Sequence, residues 1–158
     1  FISCMNSNCP NRDEAIELLH EYTKTDSLRR HALGVEQAMR KMAEKYDGNS
    51  DEWGITGLMH DFDYEKYPTM EDHPFRGNEI LKEKGYPKSI TQAIMGHANY
   101  TGVSRDTDMA KALFAVDELT GFIFAVTYVR PSKSIFEVKP KSVKKKLKQM
   151  IKLLHKIV

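Results

Sequence analysis

Hydrophobic residues at spacings of three and four are the feature that most constrains the fold of this chain. Over residues 26–46 they recur as Leu28, Ala32, Val35, Met39, Met42 and Tyr46. This period places them along one face of an α-helix that packs on a core. Helices are predicted over residues 11–23, 26–46, 51–62, 74–84, 87–97, 109–129 and 142–157, with Pro, Gly or polar residues between them.

Strand-like alternation is confined to a short piece at residues 134–138. We therefore predict an all-α fold, a bundle of six or seven helices. The 158 residues are enough for one compact domain with a real core. Residues 1–10 are expected to form an N-terminal tail, and residues 11–158 to form the domain, which ends in a basic helix.

The N-terminal segment shows no secretory signal, because no charged stretch leads into an apolar run and a cleavage site. Both cysteines, Cys4 and Cys9, lie there and say little about the redox compartment. We expect Met5 to be the native start and the four residues before it to come from an expression vector or from mis-assigned translation. The most apolar run, residues 112–129, carries two acids at its middle, which argues against a membrane span. We infer a cytoplasmic protein.

Charge is distributed unevenly along the chain. Residues 1–129 hold 14 Lys and Arg against 21 Asp and Glu, whereas residues 130–158 hold 10 against 1. The basic end could bind nucleic acid or anionic lipid. It could also be the solvated face of a last helix that packs on an acidic body, and its regular apolar stripe favours this reading. We expect no membrane partner, disfavour nucleic acid, and expect a monomer or a homodimer.

An adjacent His60-Asp61 pair interrupts an otherwise apolar helical segment. An imidazole followed at once by a carboxylate is difficult to bury, because each group needs a partner. A divalent metal removes the difficulty, since neutral imidazole and carboxylate are ligands that such ions accept. Taken alone, the pair could equally be an ion pair at a helix end.

Four more residues stand in similarly apolar or structured surroundings: His31, His73, His97 and Asp117. His31 lies three residues after Leu28 and four before Val35, which places it on the inward stripe of its helix. Each of them could be a hydrogen-bonded core residue. Five of these residues lie on or beside the inward faces of four helices: His31, His60, Asp61, His97 and Asp117. Accidental convergence of five is less plausible, so we predict a metal site with nitrogen and oxygen ligands in the core of the bundle.

The order of these residues resembles the HD-domain superfamily of metal-dependent phosphohydrolases over about residues 26–130. Its signature is a lone His, a His-Asp pair and a distant Asp, here His31, His60-Asp61 and Asp117. His73, in a His-Pro-x-x-Gly sequence, and His97 resemble the further histidines of the binuclear branch. The chain departs from the cyclic-dinucleotide phosphodiesterases of that branch, because it lacks their His-His pair. Residues 116–121, Val-Asp-Glu-Leu-Thr-Gly, resemble a small group of predicted hydrolases.

The resemblance implies two divalent metals per chain, with the transition metals Fe or Mn favoured and Co, Ni, Zn or Mg as alternatives. The implied metal ligands are His31, His60, Asp61, His73, His97 and Asp117. Asp61 would bridge the ions, and Asp61, His73 and His97 would be catalytic. A metal-activated hydroxide would then cleave a phosphate ester or anhydride of a nucleotide or another small phosphorylated metabolite. If only one metal binds, His73 and His97 become proton donors or phosphate-binding groups.

Polar residues in the loops beside these ligands are the predicted substrate contacts. They are Lys66, Arg76, Asn99, Tyr100, Arg105, Arg130 and Lys133. Arginine suits phosphate because its planar fork donates two parallel hydrogen bonds. Each of these side chains could instead be an ordinary solvated surface group.

Two alternative functions remain open from the sequence. A di-iron oxygenase could use the same six ligands, and nothing in the sequence separates it from a hydrolase. A non-catalytic HD signalling or binding module is the third alternative. The complete ligand set argues against it, because a binding module has no need for six buried ionisable groups.

Overall fold

The computed structural model describes residues 11–154 and, at the C-terminal end, side chains as far as Lys152. Over this range it contains seven α-helices and no strand, which confirms the all-α prediction. The helices are α1 Arg12–Tyr22, α2 Asp26–Lys45, α3 Ser50–Met59, α4 Phe75–Glu83, α5 Lys88–Gly96, α6 Asp108–Tyr128 and α7 Pro140–Leu154. Short 3-10 turns lie at Asn99–Thr101 and Ile135–Glu137. The predicted tail over residues 1–10 lies outside the described residues.

The chain divides into two compact units. The first extends to Glu118 and contains α1 to α5 with the first half of α6, and the second begins at Leu119. The expectation of a single domain over residues 11–158 stays a prediction. Among the described residues, no helix combines the length and the hydrophobicity needed to cross a membrane.

Asparagine side chains cap the N-termini of two helices in the first unit. The Asn11 side chain accepts from the backbone N–H of Glu14, and the Glu14 side chain accepts from the N–H of Asn11. The Asn49 side chain accepts from the N–H groups of Asp51 and Glu52 at the start of α3. Each cap satisfies backbone donors that a helix start leaves without an intrahelical partner, which fixes where these helices begin.

The core of the first unit is centred on the packing of α2 against α3. Gly57 of α3 faces α2 so closely that an added Cβ would lie 2.9 Å from the Val35 carbonyl oxygen and 2.9 Å from Met39 Cγ. Val35, Met39 and Leu58 are fully buried at this crossing. The close approach places the C-terminal end of α3 beside the middle of α2.

The end of α3 differs from the sequence-based expectation. The helix was predicted to continue through Phe62, but it ends at Met59, and residues 60–66 form successive turns. Phe62 is nevertheless buried, and its carbonyl oxygen accepts a hydrogen bond from the Thr23 hydroxyl. Phe62 therefore fills the core from a turn, and hydrophobic spacing alone does not distinguish this from another helical turn.

The second unit contains the end of α6, the Ile135–Glu137 turn and α7. The piece that alternates like a strand in the sequence forms this 3-10 turn instead. Several apolar residues of α7 were predicted to face inward, but Leu147, Met150 and Ile151 are 38–44% exposed. Four lysines predicted to be solvated on this helix are exposed, namely Lys144, Lys145, Lys148 and Lys152. The fifth, Lys156, lies outside the described residues.

Candidate metal centre

Five segments of the first unit bring the six predicted ligands together. His31 lies in α2 and Asp117 in α6, whereas the other four lie at or just outside the ends of shorter helices. These four are His60 and Asp61 after α3, His73 before α4 and His97 after α5. Because these side chains come from the ends of different helices, they can converge on one point from several directions.

Asp61 lies at the centre of this cluster. Its Oδ1 is 3.2 Å from Nε2 of His73 and 3.2 Å from Nε2 of His97. Its Oδ2 is 3.4 Å from Nε2 of His60. Two groups with metal-ligand spacing therefore share this carboxylate. One comprises His31, His60 and Asp61, the other comprises Asp61, His73 and His97, and the ligand atoms of each lie within 4.8 Å of one another.

Asp117 joins the first of these groups. Its Oδ1 lies 2.9 Å from Nε2 of His31 and 3.3 Å from Nε2 of His60. The carboxylates of Asp61 and Asp117 thus both face Nε2 of His60. The structure brings together all six residues that the sequence predicted as ligands.

Two of the imidazoles are oriented by backbone carbonyl oxygens at Nδ1, the ring nitrogen that faces away from the cluster. Nδ1 of His60 lies 2.7 Å from the carbonyl oxygen of Gly57, and Nδ1 of His97 lies 2.5 Å from that of Ile94. A carbonyl oxygen can only accept, so each Nδ1 carries the hydrogen. When neutral, both rings therefore present the Nε2 lone pair to the cluster, which is the tautomer that a metal ligand needs.

One buried nitrogen in the cluster lacks a hydrogen bond. Nε2 of His60 is the only buried side-chain nitrogen or oxygen without a hydrogen-bond partner in the described part of the chain. It lies 3.3 Å from Asp117 and 3.4 Å from Asp61, but not in hydrogen-bonding geometry. An unsatisfied buried polar atom costs about 1–3 kcal/mol, which coordination would remove. With four imidazoles, two carboxylates and no thiolate, the residues fit divalent metal ions.

The carboxylates raise the pKa values of two histidines. Burial disfavours the charged form of His60, but Asp61 and Asp117 outweigh it and raise the His60 pKa well above the usual value. Burial likewise opposes charge on His73, but hydrogen bonds to Asp61 and Asp63 raise its pKa to about 9. The carboxylates therefore favour the charged form of both rings in the metal-free protein.

The histidines have the reciprocal effect on the carboxylates. Burial alone would raise the pKa of Asp61, but the imidazoles around it hold that pKa well below the usual value. Burial alone would also raise the pKa of Asp117, but His31 and His60 outweigh it and lower that pKa below its usual value. Both carboxylates are consequently ionised at neutral pH and available as ligands.

A comparison with protein-family models identifies the family of the domain that contains this cluster. The HD domain model matches residues 28–121, which is more than half of the chain and includes all six clustered residues. The chain belongs to the HD domain family. The HD domain is thereby a member of a metal-dependent hydrolase superfamily, and its His and Asp cluster is compatible with a metal site. Searches of curated proteins and of solved structures gave no match.

The HD domain contains one buried carboxylate beside the cluster that sequence reasoning missed. Asp63 is 1% exposed, and its Oδ1 lies 2.8 Å from Nδ1 of His73. In the sequence it is one of several acids in a loop without hydrophobic periodicity. Its closeness to His60-Asp61 was the one available signal, and a position two residues after a predicted ligand does not show what the carboxylate contacts.

Three predicted substrate contacts lie in the segment that follows α5. The Tyr100 hydroxyl donates to the His73 carbonyl oxygen at 2.9 Å. The Arg105 Nε donates to the Gly96 carbonyl oxygen at 2.6 Å, and another guanidinium nitrogen donates to the Asn99 side chain. These contacts tie the segment to the ends of the helices that carry His73 and His97.

The remaining predicted substrate contacts are exposed or lie in the second unit. Lys66 places its amino group 4.6 Å from the ring centre of Tyr22. The Arg76 guanidinium is largely exposed and pairs with acids on its own helix and loop. Arg130 and Lys133 belong to the second unit. A substrate role for these residues stays a prediction.

Proposed function

We propose that this HD domain is a metal-dependent phosphohydrolase that acts on a nucleotide or another small phosphorylated metabolite. The observation that carries the proposal is the position of Asp61, whose two oxygens face different groups of histidines. A carboxylate shared in this way is suited to bridge two metal ions, and paired ions are a common arrangement for phosphoryl transfer.

The two groups define which residues would hold which ion. His31, His60 and Asp117 would hold one ion with Asp61, and His73 and His97 would hold the other with the same carboxylate. When bound, such ions supply a hydroxide nucleophile at neutral pH and neutralise charge on the phosphoryl oxygens.

The chain itself supplies orientation and charge. Asp61 and Asp117 stay ionised because the imidazoles lower their pKa values. The carbonyl oxygens of Gly57 and Ile94 hold His60 and His97 with Nε2 directed into the cluster. Ligands that are already oriented lose little conformational freedom on binding, which favours a site of fixed geometry.

Phosphate binding is assigned to the basic side chains near the cluster. Lys66 and Arg76 are exposed and follow the His60-Asp61 pair along the chain. Arg105 already donates to Gly96 and to Asn99, so we assign it to positioning of the Asn99–Thr101 turn as well. Exposed cationic side chains would attract a phosphorylated substrate.

The test is phosphate release by the purified protein after metal removal and reloading with Mn²⁺ or Fe²⁺. The panel comprises nucleoside monophosphates, cyclic nucleotides, dinucleotides and sugar phosphates. Asp61→Ala should abolish both metal binding and turnover, because it removes a ligand from both groups. Lys148→Ala, on the exposed face of α7, is the control and should retain both. A metal-loaded wild type that hydrolyses none of these compounds would contradict the proposal, and oxygen uptake instead would favour a di-iron oxygenase.

A further inference from the structure

The carboxylate of Asp63 joins His73 to the start of α4. Oδ1 pairs with Nδ1 of His73, and Oδ2 accepts from the backbone N–H of Gly77 at 2.9 Å. Gly77 lies in the first turn of α4, where Pro74 provides no side-chain cap. Asp63 therefore caps this helix from fourteen residues away. The helix N-terminus in turn stabilises its negative charge in a buried position.

The carboxylate can occupy this position because residue 77 is glycine. A Cβ on Gly77 would lie 2.5 Å from Asp63 Cγ and 2.6 Å from its Oδ2. These separations are shorter than any van der Waals contact, so a side chain at residue 77 would displace the carboxylate. Gly77 and Asp63 are thus matched to each other.

His73 differs from two neighbouring ligands in what orients it. His60 and His97 donate from Nδ1 to neutral backbone carbonyl oxygens, whereas His73 faces the charged carboxylate of Asp63. A carboxylate acceptor holds the hydrogen on Nδ1 and increases the electron density at Nε2. Nε2 of His73 is the atom that lies 3.2 Å from Asp61 and 3.4 Å from His97.

We infer that Asp63 and Gly77 together form a positioning device for one of the two metal groups, the one made by Asp61, His73 and His97. Asp63 fixes the His73 tautomer and ring orientation, and thereby sets the metal affinity of that group and not of the other. The inference rests on the proposed metal site but not on the identity of the substrate. Neither Asp63 nor Gly77 is expected to contact the metal or the substrate.

Two variants test this device in different ways. Asp63→Asn retains the shape but presents an amide NH₂ either to the Gly77 N–H or to His73, so it loses the cap or disfavours the required tautomer. Gly77→Ala retains the carboxylate but displaces it. The matched controls are Asp72→Asn, an acid in the same loop whose carboxylate accepts from Thr69 and Arg76, and Gly121→Ala, where nothing lies within 4 Å of the added Cβ.

The first readout is titration of the metal-free proteins with Mn²⁺ or Co²⁺. Both test variants should bind at one site about 10- to 100-fold more weakly, as expected when the carboxylate partner of a ligating histidine is lost. The metal affinity of the other site in the test variants, and of both sites in the controls, should stay within about twofold of wild type. That change is well below the expected effect. The second readout is the ¹⁵N spectrum of the histidine side chains without metal, in which the His73 signals should change in both test variants.

Each outcome decides the inference. Wild-type affinity at both sites in Asp63→Asn, or unchanged His73 signals, would overturn it. Equal weakening of both sites would overturn the claim of selectivity. A wild type that binds two metals but hydrolyses no phosphate ester would contradict the proposed function and leave this inference standing. A wild type that binds no metal would overturn both.

Discussion

At the scale of single residues, the cluster is held together by reciprocal charge. Asp61 and Asp117 supply two negative charges, and the surrounding imidazoles supply the protons that balance them in the metal-free protein. Nε2 of His60 faces both carboxylates and is buried without a hydrogen bond. A site arranged in this way exchanges protons for metal, so metal affinity and pH are linked.

Replacing His73 separates a two-metal site from a one-metal site. His73→Ala should halve the metal content and lower kcat about a hundredfold or more, which corresponds to about 3 kcal/mol of transition-state stabilisation. His97→Ala should behave alike, because both residues belong to the same group. Metal analysis and turnover are measured together, with the exposed His20→Ala as control. Wild-type metal content and turnover in His73→Ala would remove this residue from the site.

The pKa of His73 also predicts how the metal-free protein responds to pH. The folded-state pKa is raised from 6.5 to about 9. A raised pKa stabilises the folded state fully below the unfolded value, and this contribution is lost as pH rises through the folded value. Urea unfolding in the presence of a chelator should therefore show stability falling from about pH 6.5 to 9. His73→Ala should show a weaker dependence, and an identical slope would contradict the assignment.

At the scale of helices, the contact between α2 and α3 positions both His31 and the His60-Asp61 pair. Gly57 permits this contact, and its carbonyl oxygen also orients the His60 ring. One residue therefore serves the packing of two helices and the geometry of a ligand. Changes in the packing of α2 against α3 should therefore change the metal affinity of the site.

Gly57→Ala tests that coupling. The added methyl group would overlap the Val35 carbonyl and the Met39 side chain, so the helices must separate at a cost of about 1–3 kcal/mol. Urea unfolding measures the loss, and metal titration should show weaker binding. Gly121→Ala in α6 meets open space and should instead stabilise the protein by about 0.5–1 kcal/mol. Equal effects of the two substitutions would contradict the packing argument.

At the scale of the whole molecule, the sequence predicted the helices well and their ends less well. The spacing of Leu28, Val35 and their neighbours predicted α2 and placed His31 on its inward face. The predicted end of α3 was wrong because Phe62 continues the apolar pattern from a turn. Asp63 was missed because its partners lie ten and fourteen residues away, at distances that only the folded chain brings together.

Metal binding should stabilise the folded protein as a whole, because the ligands come from five separate segments. A ligand that binds only the folded state at a hundred times its Kd contributes about 2.7 kcal/mol. Thermal unfolding should therefore show a Tm several degrees higher with Mn²⁺ than with a chelator. Asp61→Ala should abolish this difference, and an equal metal-dependent rise in that variant would indicate binding elsewhere.

The separation of His31 and Asp117 also has a consequence for synthesis in the cell. These residues are 86 positions apart, yet their side chains lie 2.9 Å from each other in the folded protein. A growing chain on the ribosome cannot assemble the complete cluster until residue 117 has emerged from the exit tunnel. The group made by Asp61, His73 and His97 is complete earlier, because all of its residues lie within residues 61–97.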